Sequence, residues 1–387
     1  MTSSASVVVV GGGIIGASVA YHLASLGWRD VRVLDSAAGP GQGSTGRATG
    51  GYRAQYATPV NVALSLLARA KLLRFREEVG ADPGYRAAGY LWLAANEHEL
   101  DVLRAGLPVQ HAAGLGESVE VSPEEVRRIN PALAPDGIAG GTWCPSDGFI
   151  RPADMLHGYL DAARRLGVEV EWGRRVHGFR RDAAGRITGV ETDGGTIAAG
   201  AVVNAAGAWA AGIAALAGID LPVEPLRRQV VPTSACDLLP ADMPMTIYAG
   251  DGFHLRVRDG CVLLLWPTPG AAGDPLATDV EPEWIDAVVA KAHARVPVLR
   301  RATIDPARAW GGLYEVSPDK HAILGTAPGC PNLYLANGSS GHGVMHAPAL
   351  GQLLAELMSG QPTSVDVRPL RFTRFAEGDL NPVSELL

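Results

Sequence analysis

The chain opens with an unbroken apolar run, Val7-Val8-Val9-Val10, which predicts a short strand buried on both faces of a parallel sheet. Residues 17–26 follow at helical spacing, with Ile15, Val19, Leu23 and Leu26 on one face and Gly27 as the stop. Val31-Arg32-Val33-Leu34 predicts a second strand. Further along, Val62, Leu66, Leu67, Ala70 and Leu73 mark a helix over 60–79 that ends at Gly80. Residues 155–166 predict another helix, capped near Asp154 and closed by Gly167. Residues 168–172, 186–192 and 201–205 read as strands. From 222 to 275 the pattern is strand-like but broken by prolines and turns, as in a mixed sheet. There is no internal repeat and no long linker.

The first strand runs straight into Gly11-Gly12-Gly13-Ile14-Ile15-Gly16, a G-x-G-x-x-G turn. Gly11 makes the tight turn, Gly13 lets the backbone approach a pyrophosphate, and Gly16 lets the helix pack on the strand. The helix N-terminus offers unpaired N–H groups and partial positive charge to phosphates. Asp35 ends the second strand, where a carboxylate can accept hydrogen bonds from ribose hydroxyls. Strand, helix, strand and acid in this order predict dinucleotide binding, FAD and NAD alike.

Composition narrows the partners. The 387 residues are 47% apolar and 19% charged, enough for two or three domain-sized units around a sizeable core. A net charge of −7 and a pI near 5.8 argue against a nucleic-acid face. Lys71, Lys291 and Lys320 are the sole lysines, a bias that reads as genome composition. Cys144, Cys236, Cys261 and Cys330 are widely spaced and carry no metal-ligand pattern, so reduced thiols and no metal are expected. The N-terminus lacks the basic residues and cleavage site of a signal peptide. No apolar run reaches the roughly 20 residues of a membrane span, and a cytoplasmic location is expected.

Beyond Asp35 lies a small, hydroxyl-rich loop, Gly43-Ser44-Thr45-Gly46-Arg47-Ala48-Thr49-Gly50-Gly51, followed by Tyr52-Arg53. Later come Gly148-Phe149-Ile150-Arg151-Pro152, Val202-Val203-Asn204-Ala205-Ala206-Gly207-Ala208-Trp209 and Arg227-Arg228-Gln229-Val230. Gly312-Leu313-Tyr314-Glu315-Val316-Ser317-Pro318-Asp319 and Asn337-Gly338-Ser339-Ser340-Gly341-His342-Gly343 complete the series. With these motifs the chain resembles the D-amino-acid oxidase superfamily of FAD enzymes over nearly its whole length. Within it the likeness is to the branch of sarcosine oxidases, dimethylglycine and proline dehydrogenases, and glycine oxidase.

The resemblance implies an α/β fold: a Rossmann-type FAD-binding domain interleaved with an α+β substrate domain built on a mixed β-sheet. The FAD domain would collect residues 1–80, 143–218 and 320–387, and the substrate domain 81–142 and 219–319. Gly11, Gly13, Ile14, Ile15 and Gly16 would hold the pyrophosphate, with Asp35 and Ser36 at the ribose. Ser44, Thr45, Arg47, Ala48, Thr49 and Gly50 would line the flavin and its phosphates, and the Val176 backbone would meet adenine. Ala206, Gly207, Trp209 and Gly312 would lie beside the cofactor. Ser340, Gly341, His342, Gly343, Val344 and Met345 would form the loop and helix start at the flavin O2/N1 edge, where reduced flavin carries negative charge.

The implied chemistry is oxidation of a small amine or amino acid at the carbon bearing nitrogen. The flavin performs the redox step, and the protein supplies orientation and electrostatics. Strong acid–base residues are not required, in keeping with the lack of an obvious catalytic constellation. Arg53, Tyr52, His254, Arg256 and Tyr314 are the candidate pocket residues. An arginine fork suits a substrate carboxylate, and relatives place one at Arg53. His254 and Arg256 share one face of a strand by period two. Gly312 and Arg47 stand where relatives attach flavin covalently, so non-covalent FAD is expected. Met345 replaces a lysine tied to oxygen reactivity in sarcosine oxidases, leaving oxygen or an electron-carrier protein as acceptor. Two other readings stay open: a 2-hydroxy-acid dehydrogenase, and a flavin-bound assembly factor without small-molecule turnover.

Overall fold

A computed structural model describes residues 3–268 and 274–384; the end of the strand-like region expected to 275 therefore lies partly outside the described residues. The strand Ser3–Val10 pairs in parallel with Val31–Asp35 on one side and Gly195–Asn204 on the other. The path continues outward to Glu169–Trp172 at one edge and to Cys330–Asn337 and Ile323–Ala327 at the other. The four valines explain why this strand is central. Val7 and Val9 enter one apolar core and Val8 and Val10 the other, because successive side chains leave opposite faces.

The first core lies under the helices Ile14–Ser25, Pro59–Glu78, Pro152–Arg165 and Gly343–Met358. Ile14–Ser25 starts three residues before the expected 17, since the glycine turn feeds directly into helix. It packs closely on Gly343–Met358, where Ser18 Oγ donates to the Ala347 carbonyl at 2.8 Å. The expected cap at Asp154 is corrected: the helix begins at Pro152, with Arg151 as cap. Proline suits a first helical position, where an N–H would have no partner.

Among the described residues a second sheet runs Trp310–Val316, Glu224–Pro232, Cys261–Leu265, His254–Arg258, Met245–Tyr248, Tyr90–Ala94, Gly140–Cys144 and Val119–Val121. It is mixed: Met245–Tyr248 runs parallel to Tyr90–Ala94, and its other pairings are antiparallel. Leu91, Leu93, Leu255, Val257 and Leu264 bury one face against the helix Pro282–Arg295. The opposite face carries Tyr90, Trp92, Met245 and Ile247. No helix among the described residues is long and apolar enough to cross a membrane, and no cluster of His, Cys, Asp or Glu there could hold a metal.

Candidate active site

A cleft of about 520 Å³ opens where the N-termini of Ile14–Ser25 and Gly343–Met358 approach the second sheet. Neither helix has a side-chain cap, so first-turn amides turn partial positive charge toward the cleft. Thr45 Oγ1 takes one of them, accepting from the Ile14 amide at 3.1 Å. Gly11, Gly13, Ile14 and Ile15 line the cleft. Gly11 has φ +108°, and a Cβ there would lie 2.3 Å from the Ala205 carbonyl oxygen. Gly16 stands behind the turn, where a Cβ would lie 1.9 Å from the Gly11 oxygen.

At one end Asp35 accepts from the amides of Gly12 at 2.7 Å and Ala37 at 2.8 Å. Ser36, Val176, Trp172, Arg174 and Arg175 complete that end. In the middle, the loop forms a short helical turn, Ser44–Arg47, and Ser44, Thr45, Arg47, Ala48 and Thr49 face the cleft. Arg47 ties this turn to the second sheet: it donates to the Gly311 carbonyl at 2.7 Å, while the Trp310 indole donates to the Arg47 carbonyl at 2.9 Å. Ala206, Gly207, Trp209, Gly312 and Tyr314 form the facing wall. Trp209 is 49% and Tyr314 36% exposed there, an apolar surface suited to a flat ligand.

The loop expected at the flavin edge divides in two. Gly341, Gly343 and Val344 line the cleft, as does Ser339. Ser340 instead turns its hydroxyl to the Gly338 carbonyl at 2.9 Å, and Met345 accepts from the Tyr56 hydroxyl at 3.2 Å. His342 Nε2 accepts from Arg53 Nη2 at 3.1 Å, so its proton sits on Nδ1. Burial, and then the Arg53 charge, hold His342 well below the usual histidine range.

Arg53 borders a second cavity, about 90 Å³, together with Tyr56, Trp92, Gln55, Gln110 and His342. Its guanidinium lies 4.5 Å from the Tyr56 ring centre and 4.8 Å from that of Trp92, and it makes no ion pair among the described residues. The buried Gln55 Oε1, Gln110 Oε1 and Trp92 Nε1 also have no hydrogen-bond partner there. Asp147 supports this corner by accepting from the Ala54 amide at 2.7 Å and Gln55 Nε2 at 3.2 Å. Burial pushes the Asp147 carboxyl up to about 7.

The other sequence candidates take different places. Tyr52 is wholly buried, and its hydroxyl donates to the Ser65 carbonyl at 2.7 Å; packing uses it completely. His254 and Arg256 leave the same face of their strand, but their partners differ. Arg256 donates to the carbonyls of Thr49 at 2.7 Å and Gly50 at 3.0 Å and lies 3.7 Å from the Phe149 ring centre. It pins the loop, Gly50 included, to the sheet. His254 donates from Nδ1 to the Gly252 carbonyl at 2.8 Å, leaving Nε2 unprotonated. Burial brings its pKa down to about 4, so the ring is neutral.

The FAD dependent oxidoreductase family, DAO, matches residues 6–357. The chain belongs to the DAO family. It is 30% identical to glycine oxidase of Geobacillus kaustophilus (strain HTA426) across 97% of this chain and 98% of that one. It is 29% identical to mitochondrial dimethylglycine dehydrogenase of Rattus norvegicus, over 96% of this chain and 45% of the relative. The solved L-proline dehydrogenase from P. horikoshii is 28% identical, with a TM-score of 0.91, covering 98% of this chain and 100% of that one.

This DAO-family enzyme depends on FAD, and the cleft fits it: a glycine turn closed to any side chain, two helix starts without an N-cap side chain of their own, and an acid, Asp35, at the end expected to take the ribose. Glu315 Oε2 and Ser339 Oγ, both in cleft-lining residues, are buried with no hydrogen bond of ordinary geometry among the described residues. Sequence reasoning missed Trp172, Arg174, Arg175, Arg228 and Glu315. Trp172 pairs with Asp35 only through a parallel contact across more than a hundred residues, which no local pattern reveals. Arg228 and Glu315 stood inside recognised motifs, but nothing in the motifs showed which side chains face the cleft.

Proposed function

We propose that this FAD-dependent oxidoreductase oxidises a small amine or amino acid at the carbon bearing nitrogen. The observation that carries the reading is Arg53, a cation with no ion pair among the described residues, held between two aromatic rings just after the 43–51 loop. Such a guanidinium suits a substrate carboxylate, which would accept its fork of donors. Full-length likeness to glycine oxidase and L-proline dehydrogenase supports an amino-acid substrate. Bound FAD supplies the two-electron acceptor; the substrate loses a hydride from carbon and a proton from nitrogen, and water hydrolyses the imine. Neutral His254, with Nε2 unprotonated, can accept a hydrogen bond from the amine and help orient it. Tyr56 and Trp92 flank Arg53, and Tyr56 also lies against His342, so this corner presents aromatic walls to a substrate. We further infer that the sheet built on 3–35, 169–204 and 323–337 belongs to the FAD domain and the mixed sheet to the substrate domain.

Arg228 gives a second candidate anchor. It lines the cleft itself, donates to the Thr268 carbonyl at 2.9 Å and lies 5.6 Å from the Tyr314 ring centre. The test is anaerobic mixing of the yellow protein with N-methyl, cyclic and D- or L-amino acids while flavin bleaching is followed. Bleaching by one class names the substrate, and readmitted air then shows whether oxygen is the acceptor. If only 2-hydroxy acids bleach the flavin, the amine reading is wrong.

A further inference from the structure

Glu315 sits where the strand Trp310–Val316 meets the cleft wall, and it is only 8% exposed. Its Oε1 accepts from the Ser339 amide at 3.3 Å, and its main-chain carbonyl accepts from the Ser340 amide at 2.8 Å. Among the described residues Oε2 has no hydrogen bond of ordinary geometry, nor does either polar atom of the wholly buried Asn337 side chain at the base of the same loop. Glu315 thus braces the loop whose glycines and helix start border the cleft, and among the described residues no cation is paired with it.

A buried carboxyl in this position is sensitive to any charge that appears in the cleft. In a low-dielectric surround, a new negative charge disfavours a second one nearby and favours the neutral acid. We propose that Glu315 is a positioning residue of the flavin loop that takes up a proton when bound FAD gains negative charge. The inference rests on FAD in the cleft and not on the identity of the substrate. The balance is simple: two electrons and one proton enter the flavin, and one further proton passes from solvent to the Glu315 carboxylate. No other bond forms or breaks.

The surrounding charges are already committed. Tyr314 lies on the same strand; Glu224, Arg227 and Arg228 lie on the paired strand Glu224–Pro232. Arg227 pairs with Glu281 and Arg228 donates to the Thr268 carbonyl. His342 on the loop accepts from Arg53, His346 meets Ser65, and Asp319 pairs with Arg374, with His321 and Lys320 beside it. None of these figures in the Glu315 shift. Burial raises its carboxyl to about 7, opposed by the amides of Ser339 and Gly338 and by the Ser339 hydroxyl.

The experiment is the midpoint potential of the holoenzyme, reduced slowly against indicator dyes from about pH 5 to about pH 9, for wild type and Glu315→Gln. The expected wild-type curve has a segment near neutrality with two protons taken up per two electrons. Glu315→Gln, with FAD retained, should show one proton per two electrons there. Equal slopes in the two proteins overturn the proposal. If the variant loses FAD, infrared difference spectra of the wild type decide. A carboxylic-acid carbonyl band gained on reduction supports Glu315 protonation, and no gained band refutes it. Dithionite can drive the infrared experiment, so a missing substrate cannot be mistaken for failure.

Discussion

Arg374 and Asp319 meet as a two-pronged pair, Nε to Oδ2 and Nη2 to Oδ1 both at 2.8 Å, with side chains 0% and 1% exposed. Asp319 also accepts from the Asn381 side-chain amide at 2.9 Å, and Arg374 donates to the His321 carbonyl at 3.1 Å. The pair therefore fastens the C-terminal segment to the turn after Trp310–Val316. That turn carries Ser317, whose amide donates to Ser340 Oγ at 3.2 Å in the flavin loop. Burial alone would raise the Asp319 carboxyl, but the hydrogen bonds from Arg374 and Asn381 hold it below the usual carboxylate range.

Removing one partner should expose what the pair does. Arg374→Ala leaves a buried carboxylate uncompensated and should lower stability by about 3–5 kcal/mol. Urea unfolding of the two proteins measures it. A loss below about 1 kcal/mol would mean that solvent reaches Asp319 after all.

Gly11→Ala should cost FAD before it costs the fold. The positive φ alone costs about 1–2 kcal/mol for a residue with a side chain, and the new Cβ meets the Ala205 oxygen. The flavin-to-protein absorbance ratio after purification should drop markedly, while far-ultraviolet dichroism stays near wild type. A full flavin complement in the variant would contradict this placement of the turn.

The two arginines can be separated kinetically. Arg53→Lys keeps the charge and loses the planar fork, and should raise KM for carboxylated substrates by about tenfold or more, a change of about 1.4 kcal/mol. An amine without a carboxylate should be affected much less. If Arg228→Lys shows that selectivity and Arg53→Lys does not, the anchor lies in the cleft.

The contribution of Asp147 to stability should fall as pH rises from about 4 to about 7. The folded Asp147 carboxyl is raised to about 7 by burial, against about 3.9 in an unfolded chain. The folded state then binds more protons than the unfolded one across this window, so its advantage is present below it and is lost as pH passes the folded value. Glu315, also raised by burial, acts with the same sign. His254 and His342, held neutral by burial, act with the opposite sign, so the readout is a difference: the melting temperature of Asp147→Asn relative to wild type should rise from about pH 4 to about pH 7. Asp251 works the other way: although burial raises it, Arg295 and Lys291 bring it to about 2. Its contribution is lost on acidification from about pH 4 toward pH 2.

The local elements were legible in the sequence for concrete reasons. Four consecutive valines leave no polar face for solvent, so Val7–Val10 had to be an interior strand, and Gly11 to Gly16 had to turn it into a helix. The helix Pro59–Glu78 lies within one residue at either end of the range its spacing marked. Side-chain destinations were less legible. Period two put His254 and Arg256 on one face, yet one keeps a free ring nitrogen and the other is tied to two loop carbonyls. Tyr52 follows the flavin loop directly, but its hydroxyl reaches the Pro59–Glu78 helix.

By itself, then, the sequence determined the dinucleotide turn, the acid at Asp35 and the family motifs, because each depends on short-range geometry and on which side chains a backbone can admit. Only the tertiary structure decided that Trp172 stands beside Asp35, that Glu315 braces the loop at Ser339 and Ser340 and that Arg53 meets His342. Those relationships join segments far apart in the chain, and their partners are selected by packing and by the high cost of leaving a buried polar group alone.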